Sequence, residues 1–232
     1  MRSNQLVVVY ATDGNKEYRE MILSSINSLR IRSRVPISIV NTGNPISLPT
    51  FTDPCDQVLL PPEFGTFPYD KCLIGFVKSE NVIYIDADTF VLDDIERLYL
   101  ECKADFSARP SWTYQNTDKW NSLYEQIWIQ NLRSMGAEYV PVFNSGVLVF
   151  KNNLHKRIFT LWRDTIRDYL EGSLLPVYGG TRLFEQLALS MVVGKLGIEY
   201  DLLSSRHHAY AWNKELSRGT VVLHTTSKWY SK

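Results

Sequence analysis

Leu6 to Ala11 is an unbroken apolar run, the pattern of a strand buried on both faces. A polar turn, Thr12 to Asn15, follows, and then Tyr18, Met21, Ile22, Ile26 and Leu29 recur at helical spacing. Val35 to Asn41 reads as a second strand, closed by Gly43 and Pro45. Gln57 to Leu60 is a short third strand ahead of Pro61 and Pro62, Tyr69 to Ser79 reads as helical, and Asn81 to Ile85 is a fourth strand. Strands alternating with helices predict an α/β fold with a mostly parallel central sheet. In such sheets ligands bind beyond the carboxyl ends of the strands.

The second half is less regular. Asp105 to Ala108 is a candidate strand, and the stretch from Pro110 to Val140 shows no clear period while holding Trp112, Tyr114, Trp120, Tyr124 and Trp128. Val142 to Lys151 reads as a strand interrupted by Asn144-Ser145-Gly146. Helices are expected over Leu154 to Leu170 and Arg182 to Lys195, and Val221 to His224 is a last apolar strand. No internal repeat appears, and no linker divides the chain.

At 232 residues with 44% hydrophobic and 12% aromatic content, the chain can bury a sizeable core. Lys plus Arg and Asp plus Glu are 25 each, a balance that argues against nucleic acid as the partner. Cys55, Cys72 and Cys102 are an odd set without metal-type spacing, which points to a reducing compartment. No segment approaches the roughly 18 apolar residues of a membrane span, and Leu6 to Ala11 is too short for a signal sequence. The expectation is a soluble, cytoplasmic protein, with peripheral attachment to a membrane left open.

The chemistry concentrates at Asp86 and Asp88, directly after the apolar strand. Alternation along a strand lets two such residues face one side. Two aligned carboxylates repel unless a cation or donors compensate, and Mg²⁺ or Mn²⁺ suits oxygen ligands. The competing reading, a helix cap, fits Asp93 and Asp94 better, since they precede Ile95 to Leu100.

Several motifs in order resemble a GT-A glycosyltransferase of the glycogenin-like, retaining group, family 8. They are Val7 to Asp13 with Tyr18 after it, Lys71, Asp86-Ala87-Asp88-Thr89, Phe143 to Val147, Glu185-Gln186, and His224 with Lys228 and Trp229. The resemblance spans residues 7 to 229. It implies a Rossmann-like sheet flanked by helices with an irregular acceptor-side half, forming one domain over 1–232. Residues 1–100 would be its nucleotide-binding half and 101–232 its acceptor and sugar half.

It further implies that Asp86, Asp88 and His224 bind Mn²⁺ or Mg²⁺, with imidazole tilting the choice to manganese. Ala11, Thr12, Asp13, Tyr18, Ala87 and Lys228 would contact the nucleotide, and Lys71, Asn144, Ser145 and Gly146 the donor sugar. Glu185 and Gln186 would be catalytic, with Glu185 binding sugar hydroxyls or acting as nucleophile. The implied activity is retaining transfer from a nucleotide sugar, UDP-linked in the family, to a glycan, lipid or protein acceptor. Two departures stand out: Glu185 occupies the place of an Asp, and His224 to Lys228 is short and lacks a glycine.

Each motif also has a structural reading. Tyr18 shares a helix face with Met21 and Ile22, His224 fits a strand end satisfied by backbone, and Asn144 to Gly146 fits a self-satisfied bulge. Glu185 fits a solvated position on a helix whose core face is Phe184, Leu187, Ala188 and Met191, and the aromatics from Trp112 to Trp128 fit an acceptor wall or plain packing. Two rival functions remain. Ile85 to Thr89 also resembles the Asp-x-Asp-x-Thr motif of haloacid dehalogenase-type phosphatases, although 85 residues precede it here. A non-catalytic sugar-nucleotide or glycan-binding module is the other.

Overall fold

The computed structural model describes residues 6–49, 53–65, 68–111, 122–175, 177 and 183–225. Its strands are β1 (Leu6–Thr12), β2 (Ile37–Asn41), β3 (Cys55–Leu59), β4 (Asn81–Ile85), β5 (Thr89–Val91), β6 (Phe106–Pro110), β7 (Phe143–Phe150), β8 (Tyr200–Leu202), β9 (His208–Tyr210) and β10 (Val222–His224). Seven form one sheet in the order β3-β2-β1-β4-β7-β6-β8. Within it only β7 runs antiparallel to its neighbours, β4 and β6. A second, three-stranded sheet has the order β5-β10-β9.

The unbroken apolar strands follow from burial on both faces. Val7, Val9 and Ala11 enter one core with Val82, Tyr84, Phe106 and the helices Leu154–Leu170 and Phe184–Lys195. Val8 and Tyr10 enter the other with Ile83, Ile85 and the helix Lys16–Arg32. Alternating side chains thus feed two cores, which leaves no polar face on β1 or β4. Asn15 caps the first helix by accepting a hydrogen bond from the Tyr18 backbone N–H at 3.0 Å.

Helix Phe184–Lys195 is buried on every face, residues 184 to 194 included, although it carries Glu185, Gln186 and Ser190. Two polar ties fix it over the sheet. Trp162 donates its indole N–H to the Glu185 carbonyl at 2.7 Å, and the Phe143 backbone N–H donates to Ser190 at 2.9 Å. These ties set the register of Glu185 and Gln186 against β7.

Several elements differ from expectation. The segment at Tyr69 is a 3₁₀ helix ending at Phe76, with Tyr69 to Ile74 all buried. The helix Ser122–Ser134 falls in the stretch without a clear period, because buried Asn131 interrupts its apolar stripe. Asn131 is satisfied there by the Leu175 carbonyl at 2.8 Å. Strand β7 is continuous, but its pairing with β6 jumps from Ala108↔Leu148 to Arg109↔Asn144. The interruption expected at Asn144-Ser145-Gly146 is therefore a bulge within the strand.

Candidate active site

Asp86 and Asp88 lie in the turn between β4 and β5, past the strand rather than along it. Strand alternation does not bring them together, as the sequence suggested. The turn does, with support from β7 and β10. Gly146 accepts the Asp86 backbone N–H at 2.8 Å, and Thr225 donates both its backbone N–H and its hydroxyl to the Asp88 carbonyl at 2.8 Å. β10 pairs antiparallel with β5 and delivers His224 to the same point. The result is a cluster in which one ligand atom each from Asp86, Asp88 and His224 lies within 4.8 Å of the others. His224 Nε2 stands 3.1 Å from Asp88 Oδ1 and 3.9 Å from Asp86 Oδ2.

Gly146 makes this approach possible. A Cβ there would meet His224 Cε1 at 2.3 Å and Nδ1 at 2.7 Å. The other ring nitrogen of His224, Nδ1, is 3.0 Å from Nε2 of His208, and the two imidazoles stack with centroids 5.2 Å apart. The partners of His224 are thus side chains, not the backbone groups of a plain strand end. Burial lowers the His224 pKa, but Asp88 outweighs it and the net shift is upward. Burial, joined by His224 and Arg109, drives His208 well below its ordinary range and keeps it neutral.

A second cluster sits against the first. Lys71 is 3% exposed, with its ammonium 2.8 Å from Asp86 Oδ1, 3.1 Å from Ser145 Oγ and 3.8 Å from Glu185 Oε1. Tyr84 donates to Asp86 Oδ1 at 2.6 Å, and Ser145 donates to Glu185 Oε1 at 3.0 Å. Burial raises the Asp86 pKa, yet Lys71, His224 and Tyr84 together hold it below the usual value. Burial likewise lowers Lys71, and Asp86 with Glu185 outweighs it, so the ammonium stays charged. Glu185 differs, since burial raises its carboxyl and Lys71 and Ser145 offset only part of that. Its second oxygen, Oε2, is buried without a hydrogen-bond partner among the described residues. Glu185 is therefore not the solvated helix position its sequence also allowed.

Both clusters line one cleft of about 290 Å³. Of the expected residues, Tyr18, Lys71, Asp86, Ala87, Asp88, Asn144, Ser145, Glu185, Gln186 and His224 reach it. Gly146 lies beneath His224 instead. Tyr18 is also packed against the core, so its two readings coexist, and burial, helped by Asp86, raises its hydroxyl to about 12. Asn144 Oδ1 accepts the Gly146 N–H at 2.9 Å, which satisfies part of the bulge internally. Ala11, Thr12 and Asp13 are not in the lining. Thr12 instead accepts the Gly14 N–H at 3.0 Å, and Asp13 accepts the Asn15 N–H at 3.1 Å. Lys228 and the aromatics Trp112, Tyr114 and Trp120 lie outside the described residues. Trp128 is a core residue, fully buried, with its indole N–H on the Val140 carbonyl at 2.9 Å. A larger cavity of about 680 Å³ at the start of β1 and β2 holds none of this chemistry.

His208 and Trp212 also belong to the site, and neither carries a signal in the sequence. His208 is isolated in sequence from the motifs and meets His224 only through the β9–β10 pairing. Trp212 completes the cleft wall from a one-turn 3₁₀ helix, Ala211–Asn213, which has no periodic signature.

Among known proteins, residues 71–197 match the family model described as Rhodobacterales glycosyltransferase domain, a span of more than half the chain. No curated protein sequence matches. The chain is similar in structure to the galactosyltransferase LgtC in complex with donor and acceptor sugar analogs. That match has a TM-score of 0.64 and 18% identity, covering 95% of this chain and 86% of that one. An active-site mutant of LgtC gives 0.62 and 16%, with 95% and 86% covered. The glycosyltransferase GlyE of Streptococcus pneumoniae TIGR4 gives 0.58 and 19%, with 94% and 53% covered. The shared architecture is the GT-A fold that the motifs imply.

Proposed function

This chain belongs to the Rhodobacterales glycosyltransferase domain family; it is a glycosyltransferase, and we propose that it takes its sugar from a nucleotide-linked donor held through a divalent metal. The observation that carries this is the convergence of Asp86, Asp88 and His224 on one point of the cleft. Two carboxylates and an imidazole suit Mn²⁺ better than Mg²⁺. Bound there, the metal would supply Lewis-acid stabilisation of a departing diphosphate. For His224 Nε2 to offer its lone pair, its proton must sit on Nδ1 and be donated to His208 Nε2. Burial of His208 in its neutral form is compatible with that acceptor role.

The remaining residues divide by position. Tyr18 and Ala87 flank the metal cluster and suit the nucleotide, UDP in this reading, as do Ala11, Thr12 and Asp13 at the end of β1 and Lys228 beyond β10. Lys71 neutralises Asp86 and steadies Glu185, and Asn144 and Ser145 face the space a donor sugar would take. Glu185 Oε2, buried and without a described partner, suits a sugar hydroxyl or attack at the anomeric carbon, with Gln186 beside it. Retention of configuration belongs to the same reading, and one-dimensional proton NMR of the product's anomeric signal tests it. One catalytic unit spanning 1–232, its first hundred residues holding the nucleotide, is also part of this reading.

No helix among the described residues is long and apolar enough to cross a membrane. Cys55, Cys72 and Cys102 are free thiols, the last two buried, which supports a reducing, cytoplasmic setting. The acceptor is a glycan, lipid or protein hydroxyl, and nucleic acid is not expected.

A thermal-shift screen of nucleotides and sugar nucleotides, with and without Mn²⁺, tests the proposal. Ligands that bind the folded state raise the melting temperature. Mn²⁺-dependent shifts with UDP or GDP compounds are expected, and they should vanish in Asp86→Ala and Asp88→Ala. Shifts confined to phosphate mimics such as beryllium fluoride would instead favour phosphatase chemistry.

A further inference from the structure

Trp212 is 42% exposed, unusual for the largest side chain, and it faces the cleft beside His224 with ring centroids 5.6 Å apart. An exposed aromatic alone means little. This one stands on a built support. The Tyr210 ring, fully buried, stacks on it at 4.7 Å and 20°. The Arg109 guanidinium lies 4.3 Å from the Tyr210 ring centroid. Glu215 then ties the turn together, accepting from Arg109 at 2.6 and 2.9 Å, from the Tyr210 backbone N–H at 3.0 Å and from Asn213 at 3.3 Å. Arg109 holds the Glu215 carboxyl down at about 2, so the ion pair persists at all working pH values. Such a support fixes the orientation of an aromatic ring whose apolar surface remains open to the cleft.

The ring's place decides what it meets. Tyr18 reaches the cleft from helix Lys16–Arg32, which packs mainly on β5 and also on β1, whereas Trp212 follows β9, at the opposite edge of the three-stranded sheet from β5. Trp212 is linked through the Tyr210 ring to Arg109 of β6, and β1 and β6 lie on opposite flanks of the β4–β7 pair. A nucleotide on the β1 side thus leaves Trp212 facing the other side of the reaction centre. Aromatic faces suit the apolar C–H face of a pyranose ring, and the flat, rigid ring costs little ordering.

We propose that Trp212 is the platform of an acceptor subsite for a pyranose ring, so that the acceptor of this glycosyltransferase is a carbohydrate. The inference rests on the nucleotide-sugar reading above. The test uses the full chain loaded with Mn²⁺ and UDP. Methyl glucopyranosides, methyl galactopyranosides and maltose are titrated by isothermal calorimetry, a readout that does not depend on the replaced indole, into the parent, Trp212→Phe and Trp212→Ala. Mn²⁺-dependent UDP affinity is measured in parallel by calorimetry. Saturable binding of at least one of these sugars is expected in the parent. Its affinity should fall on the order of tenfold in Trp212→Ala and only a few-fold in Trp212→Phe, with UDP affinity within about twofold throughout. Three results would overturn the assignment: no saturable binding of any of these sugars, equal sugar affinity in Trp212→Ala, or an equal loss of UDP affinity that places the ring under the base. Loss of Mn²⁺-dependent UDP binding in the parent itself would instead remove the reading on which the subsite rests.

Discussion

Replacing Gly146 with alanine tests the proposed metal site through a single methyl group. Gly146 does not have a left-handed φ, so alanine adds no backbone strain. Its Cβ would lie 2.3 Å from His224 Cε1, 2.7 Å from Nδ1 and 2.9 Å from Asn144 Oδ1. Ordinary contact begins near 3.4 Å, so the imidazole must retreat by about 1 Å. It cannot do so freely, because it is buried between Gly146 and the stacked ring of His208. Functional constellations tolerate roughly 0.5 Å of displacement, and disturbing the support of a metal ligand costs about 10–100-fold in affinity. The expected outcome is a Mn²⁺ dissociation constant, measured in the presence of UDP by electron paramagnetic resonance of the free ion, raised about 10–100-fold. Urea denaturation should show a smaller loss, about 1–3 kcal/mol, as for other overpacked cores. A Mn²⁺ affinity within twofold of the parent, in a variant that folds, would refute the placement of His224 in the metal site.

Lys71→Met leaves the buried Glu185 and the partly buried Asp86 without their cation, which costs about 3–5 kcal/mol and lowers the melting temperature by roughly 6–20 °C. A calorimetric shift below about 2 °C would show that the ammonium does not hold these carboxylates. His208→Ala removes the hydrogen-bond partner of His224 Nδ1 and should weaken Mn²⁺ about tenfold or more, with UDP affinity in metal-free buffer unchanged. An unchanged Mn²⁺ titration counts against the histidine pair as a metal support. His155 donates Nε2–H to the Val77 carbonyl, and burial lowers its pKa to about 4. Its folded pKa lies below the unfolded value of 6.5, so the unfolded state binds the proton first. Stability should therefore fall as pH drops from 6.5 to 4, by on the order of 3 kcal/mol from this group. His155→Gln keeps a donor and should flatten urea-derived stability over that window, whereas an identical pH slope in both proteins rejects the assignment.

The first half of the fold was legible because its physics is local. A strand buried on both faces must be apolar throughout, as Leu6 to Ala11 is, and a helix between two such strands must show a 3.6-residue stripe. The acidic pair was legible for a related reason, since carboxylates rarely follow a fully buried strand without a partner. Helix Ser122–Ser134 was not, because Asn131 breaks the stripe and is satisfied by the distant Tyr169 and Leu175. The site was legible where its residues carry charge and lie next to strands, and obscure where long-range pairing sets it. His208 faces His224 because β9 pairs with β10, and Trp212 gains its role from Tyr210, Arg109 and Glu215. Nothing near either residue in sequence announces those contacts. Glu185 was ambiguous for the opposite reason. Its helix buries every face, so no polar side was reserved for it, and only the three-dimensional proximity of Lys71 and Ser145 distinguishes it from a surface carboxylate.

The most direct test of metal-dependent transfer is nucleoside diphosphate release. The purified chain is incubated with a panel of UDP- and GDP-sugars and a mixture of saccharide acceptors, with Mn²⁺ or with EDTA, and products are followed by mass spectrometry. Metal-dependent transfer at this site predicts UDP release with a matching glycosylated product in Mn²⁺, lost in EDTA and in Asp88→Ala. Turnover of the same donor at an undiminished rate in EDTA or in Asp88→Ala would contradict it.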